Sequence, residues 1–168
     1  GRLPLSVFAP RLSPDGKRIA FETRDRSGPD GARLWIAELS DLAGRRPVAN
    51  PVGPVDWAPI WSLDGERLVF IVSGERGDAI YSRRADGSGT AEHLIDARSA
   101  EGWMPGGKQM RFLTLKEEGG NRDYDISLFD MSSRTVTPLV GSPGTAQHSS
   151  AVSPDGRWLA YTSNETGR

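Results

Sequence analysis

The chain has 168 residues, a length usual for one domain, and a compact fold of that size buries roughly 70% of the surface its unfolded chain exposes. Its 21 Lys and Arg nearly balance 22 Asp and Glu, so the net charge of −1 supplies no bulk attraction to nucleic acid or to an anionic membrane. Cysteine is absent, which excludes a disulfide framework and thiolate metal ligands, while 20 Gly and 12 Pro point to many turns without the composition of a disordered chain.

Strands are predicted first at Val7–Leu12 and Arg18–Arg24, on either side of Ser13-Pro14-Asp15-Gly16. Ser, Pro and Gly at the first, second and fourth positions are the preferences of a type I turn, and Asp can bond the backbone beside it. Arg18-Ile19-Ala20-Phe21-Glu22 alternates in the period of a half-buried strand. Further strands are expected at Arg33–Leu39 and, weakly, Pro47–Asn50. A second unit follows with Asp56–Trp61, the turn Ser62-Leu63-Asp64-Gly65, Arg67–Val72, Ala79–Arg84 and Ala91–Ile95. A third has Ala100–Met104, the decayed turn Met104-Pro105-Gly106-Gly107, Gln109–Leu115, Ile126–Met131 and Thr135–Val140. The fourth holds only Ser150–Ser153, the intact turn Ser153-Pro154-Asp155-Gly156 and Trp158–Thr162.

The turn glycines Gly16, Gly65, Gly107 and Gly156 are 49, 42 and 49 residues apart. A unit of about 40–50 residues made of short strands is the period of a β-propeller blade, and no sustained 3.6-residue periodicity supports helical repeats. The expected fold is therefore all-β: a partial β-propeller of three four-stranded antiparallel blades plus the two inner strands of a fourth. The blades fall at about 5–51, 52–97, 98–142 and 143–168, one propeller fragment over 1–168.

The pattern apolar-Ser-Pro-Asp-Gly-x-x-apolar-x-aromatic, carried by Leu12–Phe21, Trp61–Phe70 and Val152–Tyr161 and more loosely by Trp103–Phe112, resembles the WD40-like repeats of TolB-type propellers. Such repeats occur in periplasmic TolB, in propellers attached to tricorn and prolyl-oligopeptidase-like peptidases, and in bacterial Ser/Thr kinases. The resemblance implies a non-catalytic binding or scaffold module of a bacterial envelope or signalling protein, with a protein or peptide partner and an extracytoplasmic, favourably periplasmic, location. The alternative it implies is an accessory propeller that gates or positions peptide substrate for a serine peptidase. Gly1 and Arg168 read as cuts in a longer protein, and no run of ~20 apolar residues would insert this segment into a membrane. Propellers close with about 4–8 blades, so an arc this short is expected to expose a blade face and to self-associate.

Binding is expected on the face that carries the second-to-third-strand loops Arg24–Ala32, Gly74–Asp78 and Lys116–Asp125 and the links between blades, because variable loops on a rigid scaffold carry function. Four residues before each turn-flanking apolar position stand Phe8, Trp57, Ser99 and His148, where the inner strands begin. Phe8, Trp57 and His148 are candidate contacts for a partner, set against ordinary packing and rim roles. Asn121, Asp123 and Asp125 alternate like the start of a calcium loop. The central Gly is missing and Ser132 stands where Glu is required, so a solvated acidic loop is the better reading, with Asp123 and Asp125 retained as partner contacts. Gly102 to Lys108 has P-loop spacing, but Gln109 follows and a strand rather than a helix comes next, which rules it out. Trp35, Trp61, Trp103 and Trp158 are expected to pack between blades. No Gly-x-Ser-x-Gly elbow, catalytic triad or kinase motif is present, and no metal or cofactor is expected.

Overall fold

A computed structural model describes residues 7–24, 32–48, 55–75, 77–118, 121–142 and 144–165. These residues form strands and turns only. The first sheet is β1 (Val7–Leu12), β2 (Arg18–Arg24), β3 (Ala32–Glu38) and β4 (Asp41–Pro47). The second is β5 (Val55–Trp61), β6 (Arg67–Gly74), β7 (Gly77–Arg84) and β8 (Glu92–Asp96). The third is β9 (Ser99–Trp103), β10 (Gln109–Glu118), β11 (Asn121–Asp130) and β12 (Val136–Val140), and β13 (Gln147–Val152) pairs with β14 (Leu159–Ser163) in a two-stranded sheet. Every pairing joins sequence neighbours in antiparallel register, so the chain is a partial β-propeller of three full blades and two strands of a fourth. It divides into two compact units, Gly1–Asp96 with the first two blades and Ala97–Arg168 with the rest.

Side-chain chemistry makes each Ser-x-Asp-Gly turn. Gly16 N–H donates to Ser13 O at 2.9 Å, Arg18 N–H donates to Ser13 Oγ at 2.9 Å, and Ser13 Oγ donates to Asp15 Oδ1 at 2.5 Å. Ser62 with Asp64, and Ser153 with Asp155, repeat the arrangement. Gly closes the turn because the position holds φ near +70° (Gly16 +68°, Gly65 +71°, Gly156 +72°), a region that costs an L side chain about 1 kcal/mol or more. In the third blade Met104 replaces Ser and Gly106 replaces Asp. Only the backbone bonds survive there, Gly107 N–H to Met104 O at 3.0 Å and Met104 N–H to Gln109 O at 2.9 Å.

Beyond the turn each innermost strand carries a β-bulge. Phe8 pairs with Glu22 and Arg11 with Ala20, so Ala9 and Pro10 together oppose Phe21. Ala58 and Pro59 oppose Phe70 in the same way, and Ser149 and Ser150 oppose Tyr161. The first bulge residue is left-handed each time: Ala9 (φ 45°), Ala58 (φ 52°) and Ser149 (φ 52°). Bulges of this kind bend the strand and redirect the side chains that follow. The third blade has a single extra residue, Glu101, beside Gly102 at φ 137°.

Within the first unit, Ala20, Leu34, Ile36 and Val48 of one blade pack on Trp61, Leu68, Phe70, Val72, Tyr81 and Ala85 of the next. Full burial of a side chain such as Leu68 or Phe70 is worth about 1.5–3 kcal/mol, which outweighs the surface ion pairs at about 0–1 kcal/mol each. Polar contacts fix the alignment of the two blades. Trp61 Nε1 donates to Arg11 O at 2.9 Å, Arg18 Nη2 donates to Gly65 O at 2.8 Å, and the Arg18 guanidinium lies 4.8 Å from the centre of the Trp61 ring. The turns meet as well: a Cβ on Gly65 would lie 3.6 Å from Pro14 Cδ. In the second unit a Cβ on Gly156 would lie 3.2 Å from Pro105 Cγ. The turn proline of one blade thus abuts the turn glycine of the next in both units.

Several expected elements are corrected. The outer strand of the first blade is Asp41–Pro47 rather than Pro47–Asn50, of which residues 49 and 50 lie outside the described residues. Only Leu42 and Arg45 of that strand are even half-buried, so no apolar alternation marks it. Two expected loops are hairpin ends: Gly74 pairs with Gly77, and β10 and β11 pair out to Glu118 and Asn121, which turns Lys116–Asp125 from loop into ladder. Most of the third loop, 25–31, lies outside the described residues. Trp61 is buried and Trp35 and Trp103 are half-buried, but Trp158 is 72% exposed and packs in no core.

Candidate functional site

Long pairing of β10 with β11 places Asp123 opposite Lys116 and Asp125 opposite Thr114. Lys116 Nζ crosses the ladder to Asp125 Oδ1 at 2.8 Å and also donates to Ser142 O at 3.1 Å. Both side chains of this pair are about one-fifth exposed (22% and 20%), so the carboxylate is compensated rather than free. Gly141 packs directly on it: a Cβ there would lie 2.5 Å from Asp125 Cγ. Gln147, 2% exposed at the start of β13, completes the arrangement. With its amide oriented to avoid facing oxygen with oxygen, Nε2 donates to Asp125 Oδ1 at 2.8 Å and to Tyr124 O at 3.0 Å. One residue on, the exposed His148 ring tilts at 58° against Tyr124 with centroids 5.4 Å apart.

A second polar group lies between β9, β10 and β13. Arg111, 4% exposed, takes the position occupied by Ala20 and Val69 in the first two blades. Gly102 makes room for it, because a Cβ there would lie 2.7 Å from Arg111 Nη2. Arg111 Nη1 donates to Ser150 Oγ at 2.7 Å, and Glu101 Oε2 accepts from Ser150 N–H at 2.7 Å. Burial pulls the Arg111 pKa down from its ordinary value, and the nearby Glu101 carboxylate opposes that shift. Glu22 plays a comparable part in the first unit, where its Oε2 lies 3.4 Å from Ala58 N–H. Both carboxylates meet the backbone of a bulged inner strand on the next blade.

Of the residues singled out from sequence, Asp125 and His148 are brought together through Gln147 and Tyr124, and Asp123 is half-buried two positions along the same strand. His148 is inside β13, because that strand begins at Gln147, three residues before the expected start at Ser150. Phe8 (38% exposed) and Trp57 belong to the first unit, on β1 and β5. Trp57 is half-buried, with Nε1 donating to Ser73 Oγ at 3.2 Å and that hydroxyl donating to Asp78 Oδ1 at 2.6 Å. Lys116, Tyr124 and Gln147 were not singled out. A Gly-Gly pair between two alternating segments, Gly119-Gly120, is a hairpin signal that would have placed Lys116 across from the acidic residues. The repeated aromatic-Ala-Pro of Phe8-Ala9-Pro10 and Trp57-Ala58-Pro59 likewise marks the bulge.

Chemically the patch offers an exposed imidazole on a phenol ring, beside a compensated ion pair. That suits aromatic stacking and hydrogen bonding to a polypeptide. Among the described residues no group of three or more His, Asp or Glu is placed to hold a metal ion.

No protein-family model matches the chain. Over 162 residues it is 30% identical to the uncharacterized peptidase YuxL of Bacillus subtilis (strain 168), an alignment that covers 94% of this chain and 22% of that protein. A putative TolB from Agrobacterium tumefaciens shares its fold with a TM-score of 0.79 at 24% identity, over 100% of this chain and 57% of that one. For TolB from Acinetobacter baumannii the TM-score is 0.72 at 21% identity, over 94% and 37%. The β-propeller domain of the trilobed protease from Pyrococcus furiosus gives 0.64 at 17% identity, over 86% and 45%. The chain thus spans less than two thirds of each of these four proteins, about a fifth of the peptidase. Its fold is that of the blades of TolB-type and peptidase-associated β-propellers.

Proposed function

We propose that the chain is a non-catalytic propeller module that binds a protein or peptide partner, with the patch around His148 as the contact surface. The observation that carries this reading is the exposed His148 ring held on Tyr124 beside the compensated Lys116–Asp125 pair. Lys116, Asp125 and Gln147 beside it are already hydrogen-bonded, so that part of the patch is preorganised, and preorganisation lowers the entropic cost of binding. Asp123 extends the contact surface in this reading, and Phe8 and Trp57, at the matching inner-strand positions of the first unit, are partner contacts of that unit taken by itself. No cofactor is required. Likeness to TolB supports a place in a bacterial envelope or signalling protein and an extracytoplasmic location, and no helix among the described residues is long and apolar enough to cross a membrane.

The test is selection from a displayed random peptide library on the immobilised chain, followed by titration of the enriched peptides. His148→Ala and Tyr124→Ala are expected to weaken the selected peptides about tenfold or more, the loss typical of an interface anchor, while Leu139→Ala on the outer strand leaves them unchanged. Peptides indifferent to both substitutions would remove the patch from the account.

A second reading, an accessory propeller that positions peptide substrate for a serine peptidase, is favoured by the 30% identity to YuxL along almost the whole chain. The same selection separates the two. A substrate-positioning propeller would enrich peptides that a peptidase domain joined to this chain cleaves, and a scaffold module would not.

A further inference from the structure

Between the third and fourth blades the second unit buries a cation with a donor left over. Arg111 stands where the first two blades carry Ala20 and Val69, and it is only 4% exposed. A guanidinium has five N–H donors and no acceptor, so its burial calls for several acceptors around it. Nη1 finds Ser150 Oγ at 2.7 Å, whereas Nε is buried with no hydrogen-bond partner among the described residues. Nearly all buried polar groups in folded proteins are paired, and a charged one left short is costly. An apolar side chain at this position, as in the other two blades, would avoid that cost.

The surroundings suit an acceptor that carries negative charge. Nε shares with Nη2 the edge of the guanidinium that grips a carboxylate through two parallel bonds. Gly102 lies against Nη2, where a Cβ would come within 2.7 Å, so the glycine keeps a side chain away from that atom. Glu101, Gly102 and Trp103 are half-buried, so the strand that covers the guanidinium is itself at the surface. Ser150 Oγ accepts from Nη1 and retains its own proton to donate. Both oxygens of Glu101 are already engaged: Oε1 accepts from Ser99 Oγ at 2.9 Å and Oε2 from Ser150 N–H at 2.7 Å. Burial disfavours the Arg111 charge, so further negative charge bonded to the guanidinium would stabilise it.

We propose that Arg111 and Ser150 form a carboxylate-binding site, with Nε–H and Nη2–H holding the two oxygens and the Ser150 hydroxyl donating to one of them. Its ligand is a carboxylate of the bound polypeptide, carried on an acidic side chain or at the C-terminus. That choice of ligand rests on the reading of the chain as a polypeptide-binding module, and Ser150 lies two residues along β13 from His148. The site itself does not rest on that reading, because a small carboxylate suffices to detect it.

Acetate is the first probe. The Arg111 Nε–H resonance, identified in NMR spectra of the nitrogen-labelled chain by its loss in Arg111→Val, is expected to shift with acetate and to saturate. It should stay in place with acetamide, and with sodium chloride at the same ionic strength. Arg111→Val should still fold, since Val69 holds the same position in the second blade. A resonance indifferent to acetate overturns the site. The source of the carboxylate is read with the peptides selected on the chain, titrated as free acids, as C-terminal amides, and with each acidic side chain changed to its amide. One of these changes is expected to weaken binding to the wild type about tenfold or more and to have no effect on Arg111→Val, and the change that does so names the source. Peptides that need His148 yet are indifferent to both changes overturn the inference and leave the proposed function standing. An acetate response on a chain that selects no peptide supports the site and removes the polypeptide as its ligand.

Discussion

At the scale of single residues, the turn aspartates do more than mark the repeat. The Ser13 hydroxyl, followed by Lys17 N–H, holds the Asp15 carboxyl below its ordinary 3.8. Ser62 with Glu66 N–H, and Ser153 with Arg157 N–H, do the same for Asp64 and Asp155. A carboxylate whose folded pKa is depressed contributes stability that is present above its unfolded value and lost as pH falls through the folded one. Thermal unfolding followed by circular dichroism should therefore show a melting temperature that holds at neutral pH and declines below about pH 4. Asp64→Asn should melt lower at neutral pH and lose less on acidification. A parallel decline in the variant would mean that the turns do not titrate as described. Gly141 gives a second test at this scale, because a methyl group there collides with the Asp125 carboxyl. Gly141→Ala should cost about 1–3 kcal/mol in denaturant unfolding. In a double-mutant cycle with Asp125→Ala the cost should be largely relieved, whereas additive losses would show that the two groups do not meet.

Elements that depend on local chemistry could be read directly from the sequence. Ser-Pro-Asp-Gly specifies its turn through Ser13, Asp15 and Gly16 alone, and Ile19 and Phe21 mark the strand that leaves it, so the paired strands beside each turn were legible, although burial on both faces from Ala20 to Thr23 was not. The outer strand Asp41–Pro47 was not, because an exposed edge needs no apolar face and Gly44, Arg45 and Arg46 give no strand signal. The outer halves of β10 and β11 were hidden for a related reason: Lys116 and Asp125 satisfy one another across the ladder, and charged residues without a visible partner look like loop. His148 and Asp125 could be named from spacing. Tyr124 and Gln147, which join them, depend on a bulge and a long hairpin that come from pairing across the sheet. The aromatic that faces each bulge also tests the blade as a unit. Phe70 is fully buried between blades, and Tyr161, its counterpart in the last blade, is 41% exposed. Phe70→Ala should cost about 3–5 kcal/mol and Tyr161→Ala about 1 kcal/mol or less by urea denaturation. Equal losses would contradict the described difference in packing between those two strands.

For the whole molecule, blade stacking is the organising interaction. Within the first unit it combines an apolar contact with a proline that abuts a glycine, and the proline–glycine contact recurs within the second. Fold alone does not fix function, so the binding role rests on the patch at His148 and not on the likeness to TolB. The stacking account makes one demand of the intact chain that needs no partner and no variant. Amide hydrogen exchange should be slowest in β6, where Leu68, Val69, Phe70 and Ile71 are fully buried, and much faster in β14, where Ala160, Tyr161 and Thr162 are exposed. Equal protection in the two strands would contradict it, since a strand packed between stacked blades would then be held no more firmly than an exposed one.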